Sequence, residues 1–275
     1  MEDFKNIEFG HINGVEVISI SEVNGFIKNP FDKIGVATNT FNKHYDNEES
    51  EYYHMTVDEI IEKWEKKGAV SCQYGALLDD YIGFTLNENL DEREMFELDH
   101  DRDGDERLGG LLKSFDDFVN DYLKNHPELV FVNREQYVYH KLPSGKYVRG
   151  RFDALFYNTE NKHYVIIDWK SSNEIGHNPN KWTKQCLGPA KALYDMDWYT
   201  YTNQVYFYKT ALENDGYLPE GTIVDCYIVQ LPGHLCENNK YYMIHEPAYK
   251  YDKEFEDNIF EFAHKKKILL EKKNG

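Results

Sequence analysis

The stretch Gly150–Ser172, GRFDALFYNTENKHYVIIDWKSS, constrains the fold more than any other part of the chain. Two apolar runs, Ala154–Tyr157 and Tyr164–Ile167, flank a polar turn that begins at Asn158-Thr-Glu-Asn161, so they read as neighbouring antiparallel strands. Asp153 stands directly before the first run. Asp168 and Lys170 directly follow the second. Residues i and i+2 of a strand share a face. Asp168 and Lys170 therefore point the same way, with Trp169 opposite, and Arg151 and Asp153 share a face of the preceding strand. If the strands pair through the turn, Asp153 and Asp168 come to neighbouring positions, within a residue or two of register.

Two carboxylates held close together repel unless a proton or cation intervenes. A divalent metal can fill that role, because Mg²⁺ takes one or two carboxylates plus water and phosphate oxygens. Such an ion polarises a phosphoryl oxygen, and a nearby ammonium offsets charge that grows on the phosphate. The combination suits phosphodiester hydrolysis. An acid-x-Lys pattern alone is uninformative, since it also occurs at Asp3, Glu65, Glu160 and Glu271. The plain alternative is a solvated ion pair at a strand end. The preceding Asp153 strand is what makes a metal site worth weighing.

The remaining strands and helices read around this pair. Residues 4–20 read as a β-hairpin turning at Asn13-Gly14, and residues 21–54 as a polar loop or arm packed on the core. Thr56-Val-Asp-Glu59 is a capping box, so a helix begins there and runs to about Lys67, with Gly68 as its stop. A second helix covers Ser71 to Leu86. Residues 109–125 form an amphipathic helix. Strands are expected at 129–141, 146–157 and 163–170 as an antiparallel meander, followed by a long aromatic helix over 190–213. Strands at 222–230 and 240–245 and a helix over about 253–271 complete the chain. There is no internal repeat or linker, so residues 55–275 are read as one domain carrying the arm 1–54. The fold class is α/β.

Composition sets limits on function. The 275 residues are 41% hydrophobic and 29% charged, which suits a globular protein with a sizeable core. The formal charge of −18 argues against a protein that coats duplex DNA with a basic surface, though not against an enzyme with one basic groove. No apolar run approaches the ~18 residues of a membrane span, nothing resembles a signal peptide, and a cytoplasmic location with no membrane partner is expected. Cys72, Cys186, Cys226 and Cys236 form no C-x-x-C pair, so a zinc ribbon is not expected. Asp99, Asp101, Asp103, Gly104 and Asp105 match the first half of a calcium loop. Glu106 and Gly110 occupy the later positions where an aliphatic residue and a glutamate belong, so a solvated acidic loop is expected instead.

Gln204 and Tyr208 lie four apart on the expected aromatic helix and share a face. They can bind a nucleotide or phosphate, or they can simply be core. Together with the strand residues they become recognisable. GRFDALF, VIIDWKSS and QVYFY resemble three successive signatures of the RecB-like exonuclease branch of the PD-(D/E)xK nuclease superfamily: a strand Asp, a D-x-K, and a Q-x-x-x-Y helix.

The resemblance implies a restriction-endonuclease-like core of helix, three-strand meander, helix and strand, spanning about residues 70–230. It implies a Mg²⁺- or Mn²⁺-dependent nuclease, an exonuclease by its branch, acting on DNA in recombination, repair or genome processing. Asp153 and Asp168 would hold the metal with the Trp169 carbonyl, Lys170 would be the catalytic lysine, and Gln204, Tyr208 and Arg151 would face the substrate. The branch usually carries G-T-x-x-H on an earlier helix. The matching stretch is Gly75-Ala-Leu-Leu-Asp79, which puts Asp79 in the histidine slot, with Asp80 as its competitor. Glu135 resembles a supporting glutamate often found one strand earlier.

Some relatives bind an iron–sulfur cluster through a compact cysteine trio. Cys186, Cys226 and Cys236 are too widely spaced for that, so no cluster is expected. The aromatic, acidic style resembles bacteriophage-encoded members, which implies the host cytoplasm and a phage or host recombination protein as a partner. The alternative reading is a catalytically impaired nuclease-fold protein that serves as a nucleic-acid- or protein-binding module.

Overall fold

The computed structural model describes residues 3–5, 7–10, 12, 14–102, 104–176, 178–233, 241–244 and 252–274. Its architecture is mixed α/β. A five-stranded sheet runs in the order β2-β5-β6-β7-β8, built from Leu129–Arg134, Ala154–Asn158, Tyr164–Lys170, Val224–Gln230 and Tyr242–Ile244. A smaller sheet has the order β1-β4-β3, from Val17–Ser19, Tyr147–Arg151 and Tyr137–Lys141. The helices are α1 (Ile20–Ile27), α2 (Lys33–His44), α3 (Val57–Leu86), α4 (Leu90–Asp99), α5 (Glu106–Asp121), α6 (Asp197–Asn214) and α7 (Lys253–Asn274).

Strand β6 is central, antiparallel to β5 and parallel to β7, and buried from Tyr164 to Trp169. That placement explains its unbroken apolar run, since a strand covered on both faces has no polar alternation. Strand alternation sorts the two cores. Leu155 and Ile166 join Phe152, Phe207, Tyr208, Phe260 and the α1 side chains on one face. Ala154, Phe156, Val165, Ile167 and Trp169 join Leu78, Tyr81, Leu111 and Phe115 of α3 and α5 on the other.

Three expectations are corrected. The two long strands expected at 129–141 and 146–157 each break in the middle and change sheets. Glu135 takes a left-handed backbone (φ 52°) at the first break, and Phe152 buries itself at the second. The corner is fastened by Phe152 N–H donating to Gln136 O and by Glu135 N–H donating to Asp153 O, both at 3.3 Å. Two sheets therefore meet where one meander was expected.

Gly68 does not end a helix; α3 runs unbroken for 30 residues. A mid-helix glycine costs only about 1 kcal/mol, and packing against α2 in one half and α5 in the other outweighs it. The N-terminal arm is largely helical, and β1 pairs in parallel with β4. That pairing leaves no place for the expected 4–20 hairpin among the described residues. The missed signal is Ser19-Ile-Ser-Glu22, a capping box formed in full at the head of α1. The expected turn residue Asn13, the loop residue Asp103, Cys236 and both ends of the expected strand 240–245 lie outside the described residues. Asp105 caps α5, accepting from the N–H groups of Arg107 and Leu108.

Helix α7 brings one carboxyl into the core. Glu256 is 1% exposed; its Oε2 accepts from the Thr210 hydroxyl, and its Oε1 has no partner. Burial pushes it up to about 7. A folded-state value above the unfolded one gives stability that is complete at low pH and fades as pH rises towards 7. Glu256→Gln should therefore flatten the decline in unfolding free energy between pH 5 and pH 8 by on the order of 3 kcal/mol. His140, held between Asp215 and Asp257 and raised by them against its burial, keeps a slope of the same sign in the variant. Urea titrations at both pH values check this, and identical slopes in parent and variant would contradict it.

Candidate active site

Register alone places the two aspartates. Ala154 pairs with Ile167, and one step further along the antiparallel ladder Asp153 faces Asp168. The sheet corner ends β4 at Arg151, so Asp153 sits at the crossing point instead of continuing a strand. Its Oδ2 accepts from Trp169 N–H at 2.8 Å, which fastens the end of β6. Trp169 turns the other way, packing edge-on against Phe115 and Phe118.

Asp168 is fully buried. Lys170 Nζ lies 2.5 Å from its Oδ2, and among the described residues no other group donates to either carboxylate oxygen. Burial and the Asp168 charge push Asp153 up to about 7, and burial raises Asp168 as well. For Lys170 burial opposes the charge, but the two carboxylates prevail and hold the ammonium above its ordinary value. The cluster thus has two acids to one cation, with Asp168 inside the core and Asp153 at its edge.

Helix α6 supplies the opposite wall. Lys170 Nζ lies 4.7 Å from the centre of the Tyr201 ring and 3.5 Å from Gln204 Oε1. Gln204 Nε2 donates to the Tyr208 hydroxyl, which donates to Arg151 O, each at 2.7 Å. Tyr208 is 1% exposed, and burial drives its hydroxyl well above the usual range, so it remains a neutral donor. Tyr208 therefore braces Gln204 from within the core and does not present a free ring to a ligand. Tyr201 was not anticipated. Its spacing from Gln204 and Tyr208, three and seven residues, was the available signal.

Two clefts open onto the cluster and meet at Arg151 and Asp153. One, of about 350 Å³, is lined by Gly75, Leu78 and Asp79 of α3 together with Glu135, Trp169 and Lys170. The other, of about 310 Å³, is lined by Ser19, Ser21, Arg149, Gln204 and Tyr208. Arg151 is half exposed and paired with Glu135 at 3.0 Å. Glu135 occupies the left-handed bend between β2 and β3 and not a strand, which corrects the expectation.

Asp79 faces the first cleft, but Arg134 donates to its carboxylate at 2.7 Å and to its carbonyl at 3.0 Å. Asp80 is exposed on the helix. Among the described residues no three His, Cys, Asp or Glu side chains form one metal-ligand cluster. The donor set still fits a hard dication, because two acids that outnumber the one ammonium between them are what Mg²⁺ takes alongside water and phosphate oxygens. Asp79→Ala should weaken the metal dependence of any activity by releasing Arg134 into the cleft, whereas Asp80→Ala should leave it unchanged. Metal titrations of initial rate distinguish the two, and the reverse ranking would make Asp80 the relevant acid.

No family model matches the chain, and no curated protein matches it. Among solved structures the chain is similar to one described as a "Putative exonuclease" from Eubacterium rectale, at 13% identity over 94% of this chain and 82% of that one, with a TM-score of 0.45. So distant a likeness carries no argument; the functional reading rests on the residues. Among the described residues no helix is long and apolar enough to cross a membrane.

Proposed function

We propose that this chain is a metal-dependent nuclease that hydrolyses phosphodiester bonds in DNA, with a restriction-endonuclease-like core and exonuclease-type action. The observation that carries the proposal is the buried Asp168 one ladder step from Asp153, with the single Lys170 ammonium set against the two acids. Two acids against one ammonium leave a negative charge that a further cation would balance. Asp153 and Asp168, with the Trp169 carbonyl, would hold Mg²⁺ or Mn²⁺, which supplies charge stabilisation at a phosphoryl oxygen and acidifies water.

The side chains divide the remaining work. Lys170, whose ammonium the two carboxylates favour, would act as a donor towards charge that builds on the phosphate. Gln204 and Tyr201 fix its direction, and Tyr208 fixes Gln204. Arg151, exposed where the two clefts meet, binds a non-bridging phosphate oxygen once it lets go of Glu135. The test is a time course with end-labelled single- and double-stranded DNA in Mg²⁺ or Mn²⁺. Shortening from one end identifies an exonuclease, and internal fragments identify an endonuclease. No cleavage of either substrate overturns the proposal.

A second reading draws on the arginines. Arg134 occupies Asp79, and Arg151 occupies Glu135, which leaves the metal only two acids from the cleft. A nuclease-fold binding module would show DNA retention without cleavage in the same assay.

A further inference from the structure

The small sheet turns one face into the core and the other outward, and the two differ in charge. Alternation sends Ile18, Val138 and Val148 inward, where all three are fully buried. The outward face carries Arg149 and Arg151 of β4 and Lys141 of β3, interleaved with Tyr137, Tyr139 and Tyr147. No strand residue on this face is an acid. In a chain of net charge −18, three cations on one sheet face are a local excess of the opposite sign.

The acids around the rim are committed. Glu135 pairs with Arg151 at 3.0 Å. Glu22 accepts from Ser19 N–H and pairs with Lys267, Glu16 pairs with Lys146, and Asp215 with His140. Arg149 and Lys141 are exposed and form no ion pair among the described residues. With Glu135 set against Arg151, those two cations remain in surplus. The Arg149 guanidinium lies 5.7 Å over the Tyr137 ring, which steadies it on the face without neutralising it.

The face runs into the candidate active site. Arg149, Arg151 and Asp153 line one cleft with Tyr137 and Gln204. Two fastenings fix β4 against α6 there. The Tyr208 hydroxyl donates to Arg151 O at 2.7 Å. Gly150, between the arginines, lets the helix come close: a Cβ on it would stand 2.6 Å from the rings of Phe207 and Tyr208. Alternate residues of a strand are about 6.7 Å apart, close to the spacing of successive phosphates along an extended single strand. Arg151 and Arg149 stand at that spacing, and Lys141, paired with Tyr147, is one such step further from Asp153.

We propose that the outward face of the small sheet binds the phosphate backbone of a single DNA strand, with Arg151, Arg149 and Lys141 on successive phosphates leading away from the Asp153–Asp168–Lys170 cluster. The direction of the strand rests on the nuclease reading of that cluster. The cleft of about 310 Å³, bounded by the head of α1 and by α6, takes one strand and is too small for a duplex. The contacts are to phosphate, so binding is indifferent to sequence and weakens with salt.

The test uses the full chain in EDTA, so that cleavage plays no part. Binding of fluorescein-labelled dT15 is followed by anisotropy between about 50 and 200 mM salt. Arg149→Ala should raise Kd roughly fivefold and reduce the slope of log Kd against log salt by about 0.7. Arg149→Lys should keep the slope. The Arg149→Ala, Lys141→Ala double variant should reduce it by about 1.4. Lys124→Ala, which removes an exposed charge after α5, should match the parent. A blunt duplex should bind more weakly than dT15 and lose nothing in Arg149→Ala.

A double variant within twofold of the parent and with the parent's slope overturns the proposal, as does a parent that fails to bind dT15. An equal loss in Lys124→Ala overturns it too, because net charge alone would then account for the effect. An equal loss on blunt duplex removes the single-strand assignment. The two proposals fail separately. Arg149-dependent dT15 binding in a chain that cleaves nothing in Mg²⁺ upholds the binding face and removes the nuclease. Cleavage with Arg149-independent binding does the reverse.

Discussion

Asp168→Asn is expected to abolish DNA cleavage, by roughly 10³-fold or more, while leaving the chain at least as stable as the parent. The reason is the charge balance of the cluster. A buried Asp168 and a part-buried Asp153 share one ammonium, which lies 2.5 Å from Asp168. Neutralising Asp168 leaves Lys170 paired against Asp153 alone, one charge against one. Each kcal/mol gained would raise Tm by about 2–4 °C in a chain approaching this size. Lys170→Met is a poorer test, because it leaves the buried Asp168 without its cation, and breaking a buried pair costs about 3–5 kcal/mol. Lost activity there confuses chemistry with folding. Calorimetric melting in EDTA and initial rates in Mg²⁺ read the two effects independently. Cleavage by Asp168→Asn within tenfold of the parent would remove Asp168 from the site.

Where function and stability pull apart, the sequence was most informative. A continuous apolar run followed at once by Asp168 and Lys170 marks a buried strand whose end violates its own pattern, and such violations cluster at functional positions. The adjacency of Asp153 and Asp168 followed from alternation and one short turn. The approach of Gln204 to Lys170 did not, because nothing local fixes how α6 lies over the sheet. The same limit hid Arg134: only the folded chain shows its guanidinium lying against α3 at Gly83 and holding Asp79.

The strand breaks at Glu135 and Phe152 were hidden for another reason. Tyr137-Val-Tyr139 is a β-favouring run and Tyr147-Val-Arg-Gly-Arg151 alternates, and neither pattern tells which sheet a strand joins. Helix α3 was split in two by weighting a glycine above the packing on both its halves. Helix α1 was lost because its capping box opens on an eight-residue helix, too short for periodicity to register.

Mg²⁺ should bind the parent saturably and raise its melting temperature, and Asp168→Asn should lose that response. A ligand that binds only the folded state stabilises it by about 2.7 kcal/mol at a hundredfold excess over Kd, which corresponds to roughly 5 °C or more here. The control matters because the chain carries a net charge of −18. Any divalent ion will gather weakly around so acidic a surface, and that atmosphere also raises Tm. The surface contribution is screened at 0.15 M salt, where the Debye length is about 8 Å, whereas a buried acid pair is screened far less. It is also the same in parent and variant, which differ by a single charge. The difference between the two melting shifts at 0.15 M NaCl therefore isolates the cluster. Ca²⁺ should give a comparable difference without supporting cleavage, because its larger and looser shell tolerates the same oxygens but positions water poorly. Equal Mg²⁺ shifts in parent and Asp168→Asn would mean that the ions bind elsewhere on the surface. Asp168 would then be balanced by Lys170, with no metal beside it.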